Sequence, residues 1–192
     1  MSMLDTISMW KSPKMITYVL LTAALYFGSL YPFQALTFFE GYADFGRVGV
    51  GIPIAFSFFF GPAAAWGAAI GNIICDIAIV HVDLSSFFGV IGNFLLGYIP
   101  YKLWSRITDK KPDIRNIKKF TLFMGIDVIA SILCGVVIAL GLYWLGYSPF
   151  LPTLLIISVT NSIWAVTIGG IVLILAYGFF SKRNLIYTKQ KN

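Results

Sequence analysis

Two carboxylates stand where a charge is hard to keep. Asp76 and Asp127 each lie within a long apolar stretch. A charge near the centre of a bilayer costs at least ~2–3 kcal/mol, so such residues mark ion, proton or ligand sites unless a neighbour satisfies them. The simpler reading of Asp76 is a hydrogen-bonded residue at a helix end, and of Asp127 a contact to a nearby Asn, Ser or backbone group. Three amides, Asn72, Asn93 and Asn161, are also set in apolar sequence. Asn72 and Asp76 are spaced i, i+4 and share one helix face, with Cys75 on the adjacent stripe. Ile70-Gly71-Asn72 and Ile91-Gly92-Asn93 repeat one local pattern. In it a glycine lets two helices approach, and the next amide either bonds across the contact or faces a ligand cavity. His81, the single histidine, stands beside Asp83 at a predicted membrane edge, as a solvated imidazole or a ligand contact.

These residues do not assemble into a catalytic motif. There is no Cys/His cluster with zinc spacing, no HExxH, no GxSxG and no Gly-rich phosphate loop. The chain is expected to be no enzyme, to have no catalytic residue, resident metal or cofactor, and to leave any ATP hydrolysis to a partner. Cys75 and Cys134 read as small buried hydrophobes rather than a disulfide framework.

The elements that must position these groups are membrane spans. Of 192 residues, 58% are hydrophobic and 11% charged; soluble domains carry about a quarter charged residues, and so short a chain has no core large enough to hide the excess. The reading is all-α: one polytopic membrane domain over residues 1–192 with six transmembrane helices, at about 15–39, 48–60, 63–80, 86–104, 120–145 and 151–180. Pro32 should kink or end the first, and Gly61-Pro62 breaks the second from the third. The second is short for a span, and Gly49, Gly51 and Pro53 make it a candidate for irregular backbone lining a cavity.

Charge sets the orientation. With six spans, thirteen of the fourteen Lys and Arg residues fall on one side, including Lys11, Lys14, Lys102, Arg106, the cluster from Lys110 to Lys119, Lys182 and Arg183; Arg47 alone falls on the other. Basic loops stay in the cytoplasm, so both termini are predicted inside. The net charge of +6 therefore belongs to topology and anionic lipid rather than to nucleic acid. Aromatics from Tyr26 to Tyr42 and at Tyr143, Trp144 and Tyr147 crowd the predicted outer ends, as interfacial belts do. Small residues carry helix contacts: the alanines and glycines from Ala63 to Gly71, and Ala24 with Gly28 at i, i+4, the latter facing either this chain or another subunit.

Four stretches resemble the substrate-binding S components of energy-coupling factor (ECF) vitamin transporters. Ala24-Leu-Tyr-Phe-Gly28 resembles their small-xxx-small face, with Gly28 where alanine is usual. Arg47-Val-Gly-Val-Gly-Ile-Pro53 is similar to their Arg and Pro pattern, with Val48 where some branches have Pro. Phe60-Gly-Pro through Asp76 looks like their Gly-Pro opening and Gly-rich third span, and the basic loop after the fourth span also fits. The resemblance implies a membrane-embedded binding subunit of the cell membrane that captures a vitamin or related micronutrient at the outer face and delivers it with a T component, docked through Ala24 and Gly28, and two ATPase subunits. It implies ligand contacts in regions that here contain Glu40, Tyr42, Asp44, His81, Asp83, Tyr143, Trp144, Tyr147 and Asn161, to which the residue chemistry adds Asn72 and Asp76. Riboflavin, thiamine, folate, biotin, cobalamin, a pyridoxal precursor and a queuosine precursor all suit such a site; Cys75 would be an axial ligand only for a cobalamin. The acids Glu40 and Asp83 favour a neutral or cationic ligand. The alternative is a stand-alone secondary transporter or channel that uses Asp76 and Asp127.

Overall fold

The computed structural model describes residues 4–33, 47–79, 82–108 and 111–187. Every regular element among them is helical: α1 (Leu4–Ser8), α2 (Pro13–Leu30), α3 (Gly51–Phe60), α4 (Pro62–Ala78), α5 (Leu84–Ile107), α6 (Ile117–Trp144), α7 (Phe150–Trp164) and α8 (Gly170–Lys182). Short 3-10 turns cover Met9–Lys11, Tyr31–Phe33 and Val48–Val50, and a π-helical turn, Ala165–Gly169, joins α7 to α8. Four helical stretches are long and apolar enough to cross a membrane: Pro13–Phe33, Leu84–Ile107, Ile117–Trp144 and Phe150–Lys182; Val48–Phe60 and Pro62–Ala78 are apolar but shorter.

Local sequence explains the breaks. Helix α2 ends at Leu30, two residues before Pro32. Between α3 and α4, Gly61 takes φ 59°, ψ −129°, a conformation open to glycine, and Pro62 opens α4 without wasting a backbone donor. Asp83 caps α5 by accepting from the Ser85 backbone N–H at 2.7 Å, and Asn116 caps α6 through the Lys118 N–H at 2.9 Å. At the end of α6, Tyr147 N–H bonds to Leu142 O and Gly146 N–H to Tyr143 O, a Schellman close that needs the left-handed Gly146 (φ 74°).

Packing divides the bundle into two ends. At the end carrying Lys14, Lys102, Arg106, Lys119 and Lys182, an aromatic knot fills the core. Tyr18 stacks on Phe60 at 4.1 Å, Phe58 meets Trp104 and Phe123 at 5.2 and 5.5 Å, and Phe180 lies 4.6 Å from Phe59. The chain after α8 returns beneath it, with Tyr187 N–H donating to Phe59 O at 2.6 Å. The opposite end is built from close backbone approach. A Cβ on Gly71 would sit 2.9 Å from Ala23 O, and one on Gly92 2.8 Å from the Ile138 side chain. Midway, Gly97 lies against Ala65. The small face of α4 is thus used inside the chain, against α2 and α5. Ala24 and Gly28 are not: both are exposed, and nothing lies within 4 Å of a Cβ added to Gly28.

Candidate functional site

Polar side chains collect in the half of the bundle away from the aromatic knot. Asn93, on α5, donates from Nδ2 to Asn72 Oδ1 on α4 at 2.9 Å and to Gly89 O at 2.8 Å. Its own Oδ1 accepts from the Tyr26 hydroxyl on α2. Arg47, just before the Val48–Val50 turn, donates from Nη2 to Asn72 Oδ1 at 2.9 Å, and Asn72 Nδ2 donates to Asp76 Oδ2 at 3.3 Å. Arg47, Asn72, Asn93, Tyr26 and Asp76 therefore form one connected network across α2, α4 and α5 and the lead-in to α3. Both Ile-Gly-Asn patterns end here: the glycines let the helices close, and the two amides bond each other. Asp76 is the helix-end residue with a partner that its spacing suggested.

Tyr26 departs from the expected aromatic belt. It is fully buried and hydrogen-bonded, a core residue rather than an interfacial one. Arg47 was legible as the single basic residue on its side and as the opening of the Arg and Pro pattern, but not as a partner of Asn72, a contact that spans 25 positions.

Asp127 is different. It lies about 15 Å into α6, has no solvent exposure, and neither carboxylate oxygen has a hydrogen-bond partner. The contact to Asn, Ser or backbone expected of it is not made. Asp127, Ser131 and Cys134 form one buried stripe of α6, and Asn161 on α7 reaches Cys134 Sγ from Nδ2 at 3.7 Å. Ser158 Oγ, one turn from Asn161, fills the space that Gly135 leaves: a Cβ there would be 2.7 Å away. Ser131 Oγ, Ser158 Oγ and Asn161 Oδ1 are also buried without partners. Cys134, at the end of the stripe, lies close enough to Arg47 to feel its charge.

The remaining expected site residues form a rim. Tyr143, Trp144 and Tyr147 are 57%, 70% and 52% exposed at the end of α6. Trp144 packs edge-on to Phe88 at 6.1 Å. The Tyr147 hydroxyl faces the Asp83 carboxylate, whose negative charge and hydrogen bond hold the phenol pKa above its ordinary value. Tyr147 and Asp83 are thus brought together, but apart from the Arg47–Asn72 network. Glu40, Tyr42, Asp44 and His81 lie outside the described residues. No group of three or more His, Cys, Asp and Glu suited to a metal ion occurs among the described residues. An open cleft of about 1010 Å³ lies at the basic end, lined by Asp113, Arg115, Asn116, Lys118 and Lys119 among others, remote from both polar groups.

Apolar membrane-length helices packed around a buried polar interior define a polytopic helical membrane protein. The chain belongs to the QueT transporter family, whose model matches residues 16–177. That is a family of ECF S components, not of enzymes, and the resemblance read from the four motifs is to that same class. No curated protein matches the chain. No solved structure matches it either.

Proposed function

We propose that this chain is the substrate-binding subunit of an ECF-type importer in the cell membrane, crossing it six times with both termini inside, and that its ligand is a queuosine precursor. The family supports the ligand class: a QueT transporter carries a queuosine precursor. Such a molecule is a 7-deazaguanine, planar and rich in hydrogen-bonding edges.

The observation that carries the reading is the buried Arg47–Asn72–Asn93–Tyr26 network at the end opposite the basic residues. With basic residues inside, this end opens outward. Glu40, Tyr42 and Asp44, which precede Arg47 in the sequence, are proposed to contact the ligand. Asn72, Asp76 and Asn161 face it from the bundle, Asp83, Tyr143, Trp144 and Tyr147 contribute the rim, and His81 is a further proposed contact. A cobalamin ligand, and with it a role for Cys75 in binding cobalt, is not part of this reading.

Ala24 and Gly28 are proposed to dock the T component. Their exposure, beside exposed Leu20, Leu21 and Leu25, leaves a small-residue face that no helix among the described residues uses. The test is reconstitution in liposomes. The chain with a T component and two ATPase subunits should take up the base only with ATP, and Ala24→Trp should abolish uptake while leaving ligand binding intact. Uptake by the chain alone would instead support a stand-alone transporter.

A further inference from the structure

Of the six buried side-chain oxygen atoms without a hydrogen bond among the described residues, five lie along the α6–α7 seam: both oxygens of Asp127, Ser131 Oγ, Ser158 Oγ and Asn161 Oδ1. Within a bilayer no water reaches such groups, and each is unfavourable by several kcal/mol while unpaired. The chemistry of the set is lopsided. Three of the five are acceptors with no proton to give when Asp127 is ionised, and the other two are hydroxyls that serve either way. Whatever satisfies this seam must bring donors.

The seam also has a shape. Asn161 lies against Cys134, and Gly170 lies beside Phe123, 3.6 Å from its ring for an added Cβ. Asp127 falls between these two rungs of antiparallel packing, opposite the π-helical turn Ala165–Gly169. On its other side that turn is pressed against Gly51, where a Cβ would be 2.6 Å from Gly169 N. From Asp127 to Cys134 is about 10 Å along α6, the length of a bicyclic base with a one-carbon substituent. Asn161 stands at the Cys134 end and the two free carboxylate oxygens at the other.

Resting on the reading of the protein as a carrier of a deazaguanine, we infer that Asp127 is the specificity-determining residue: its carboxylate accepts the ring N1–H and the exocyclic 2-amino group of a 2-aminopyrimidin-4-one as a parallel pair. Asn161 Oδ1 and Ser131 Oγ meet the remaining polar atoms of the base. A carboxylate is complementary to two adjacent, parallel N–H donors and to no other edge of a purine-like base. Because Asp127 is wholly buried, the ligand reaches it only when α7 parts from α6. The π-turn, an interruption of the helical ladder of the sort that recurs at functional sites, is where that movement is easiest.

The test is equilibrium binding of 7-deazaguanine, 7-deazahypoxanthine and 7-deazaxanthine to the full chain in nanodiscs, for the wild type and Asp127→Asn. The variant keeps side-chain volume and exchanges one buried, unpartnered polar group for another, so it should fold about as well. The wild type is expected to bind 7-deazaguanine roughly 10- to 100-fold more tightly than 7-deazahypoxanthine, which lacks the 2-amino group. In Asp127→Asn that preference should collapse. The preferred base should become 7-deazaxanthine, whose 2-oxo group accepts from the new amide. If the wild type binds 7-deazaguanine and the variant keeps the same ratios, the role of Asp127 is overturned while the carrier reading stands. If the wild type binds none of the three bases, the ligand reading falls and this inference with it.

Discussion

The two buried polar groups of this protein are built from similar side chains and end in opposite states. Around Asn93, every named polar group has a partner, and the bonds tie α2, α4 and α5 to Arg47. Along α6 and α7, a carboxylate, two hydroxyls and an amide oxygen have none. A satisfied network in low dielectric holds helices in one arrangement, whereas a partly satisfied one is a liability unless something else completes it. The first group reads as the fixed wall of the site, where Asn72 and Asp76 face the ligand, and the second as the surface that the ligand must complete.

Mutations should separate the two groups, beginning with transport. Asp127→Asn should cut uptake of a queuosine precursor at least ~10-fold at limiting concentration by weakening binding, while its melting temperature without ligand stays about the same. A fall in both would make Asp127 a structural residue and erase the contrast. Asn93→Leu is the converse. It strands the Tyr26 hydroxyl and removes two bonds donated by Nδ2, so stability in detergent should drop by about 2 kcal/mol. An unchanged thermal midpoint there would mean that the network does not hold the bundle.

Gly71→Leu should act through packing rather than polarity. The added side chain would drive α4 from Ala23 and Tyr26, at a cost of about 1–3 kcal/mol, and Gly28→Leu, in open space, should leave the melting curve unchanged. Equal effects of the two would show that the first-span face is not free.

The smallest effect belongs to charges in water. Arg115 holds Asp113 at 2.7 Å and lowers its carboxyl pKa below the ordinary value. A depressed pKa contributes stability above the unfolded-state value, about 3.9, and loses it as pH falls through the folded-state value. Wild type and Asp113→Asn should therefore differ slightly in melting temperature at pH 6, with the gap beginning to close near pH 4 and gone below the folded-state value. A gap that widened in acid would contradict the sign.

Much of the fold was readable because it depends on neighbours in the chain. Gly61-Pro62 broke α3 from α4, Pro32 followed the end of α2, and Asn72 and Asp76 met one turn apart. The Ile-Gly-Asn pairs were legible as helix crossings because glycine and an amide together have a specific use at such contacts. The rest depended on distance. Arg47 reaches Asn72 only after α3 and α4 fold back, and Tyr26 looks like any interfacial tyrosine until Asn93 is placed beside it. Ser131 and Ser158 carried no signal at all, since hydroxyls in apolar helices usually bond to their own backbone. The π-turn was equally silent: residues 151–180 read as one uninterrupted span, which the structure interrupts at Ala165–Gly169.

The most direct test of the central claim is native mass spectrometry of the full chain, released from nanodiscs after expression in cells that make queuosine precursors. The account predicts one bound 7-deazaguanine-type base per chain, retained by Asn161-containing wild type and lost from Asp127→Asn. A chain that carries no such base, and gains none when the base is added in excess, would contradict it.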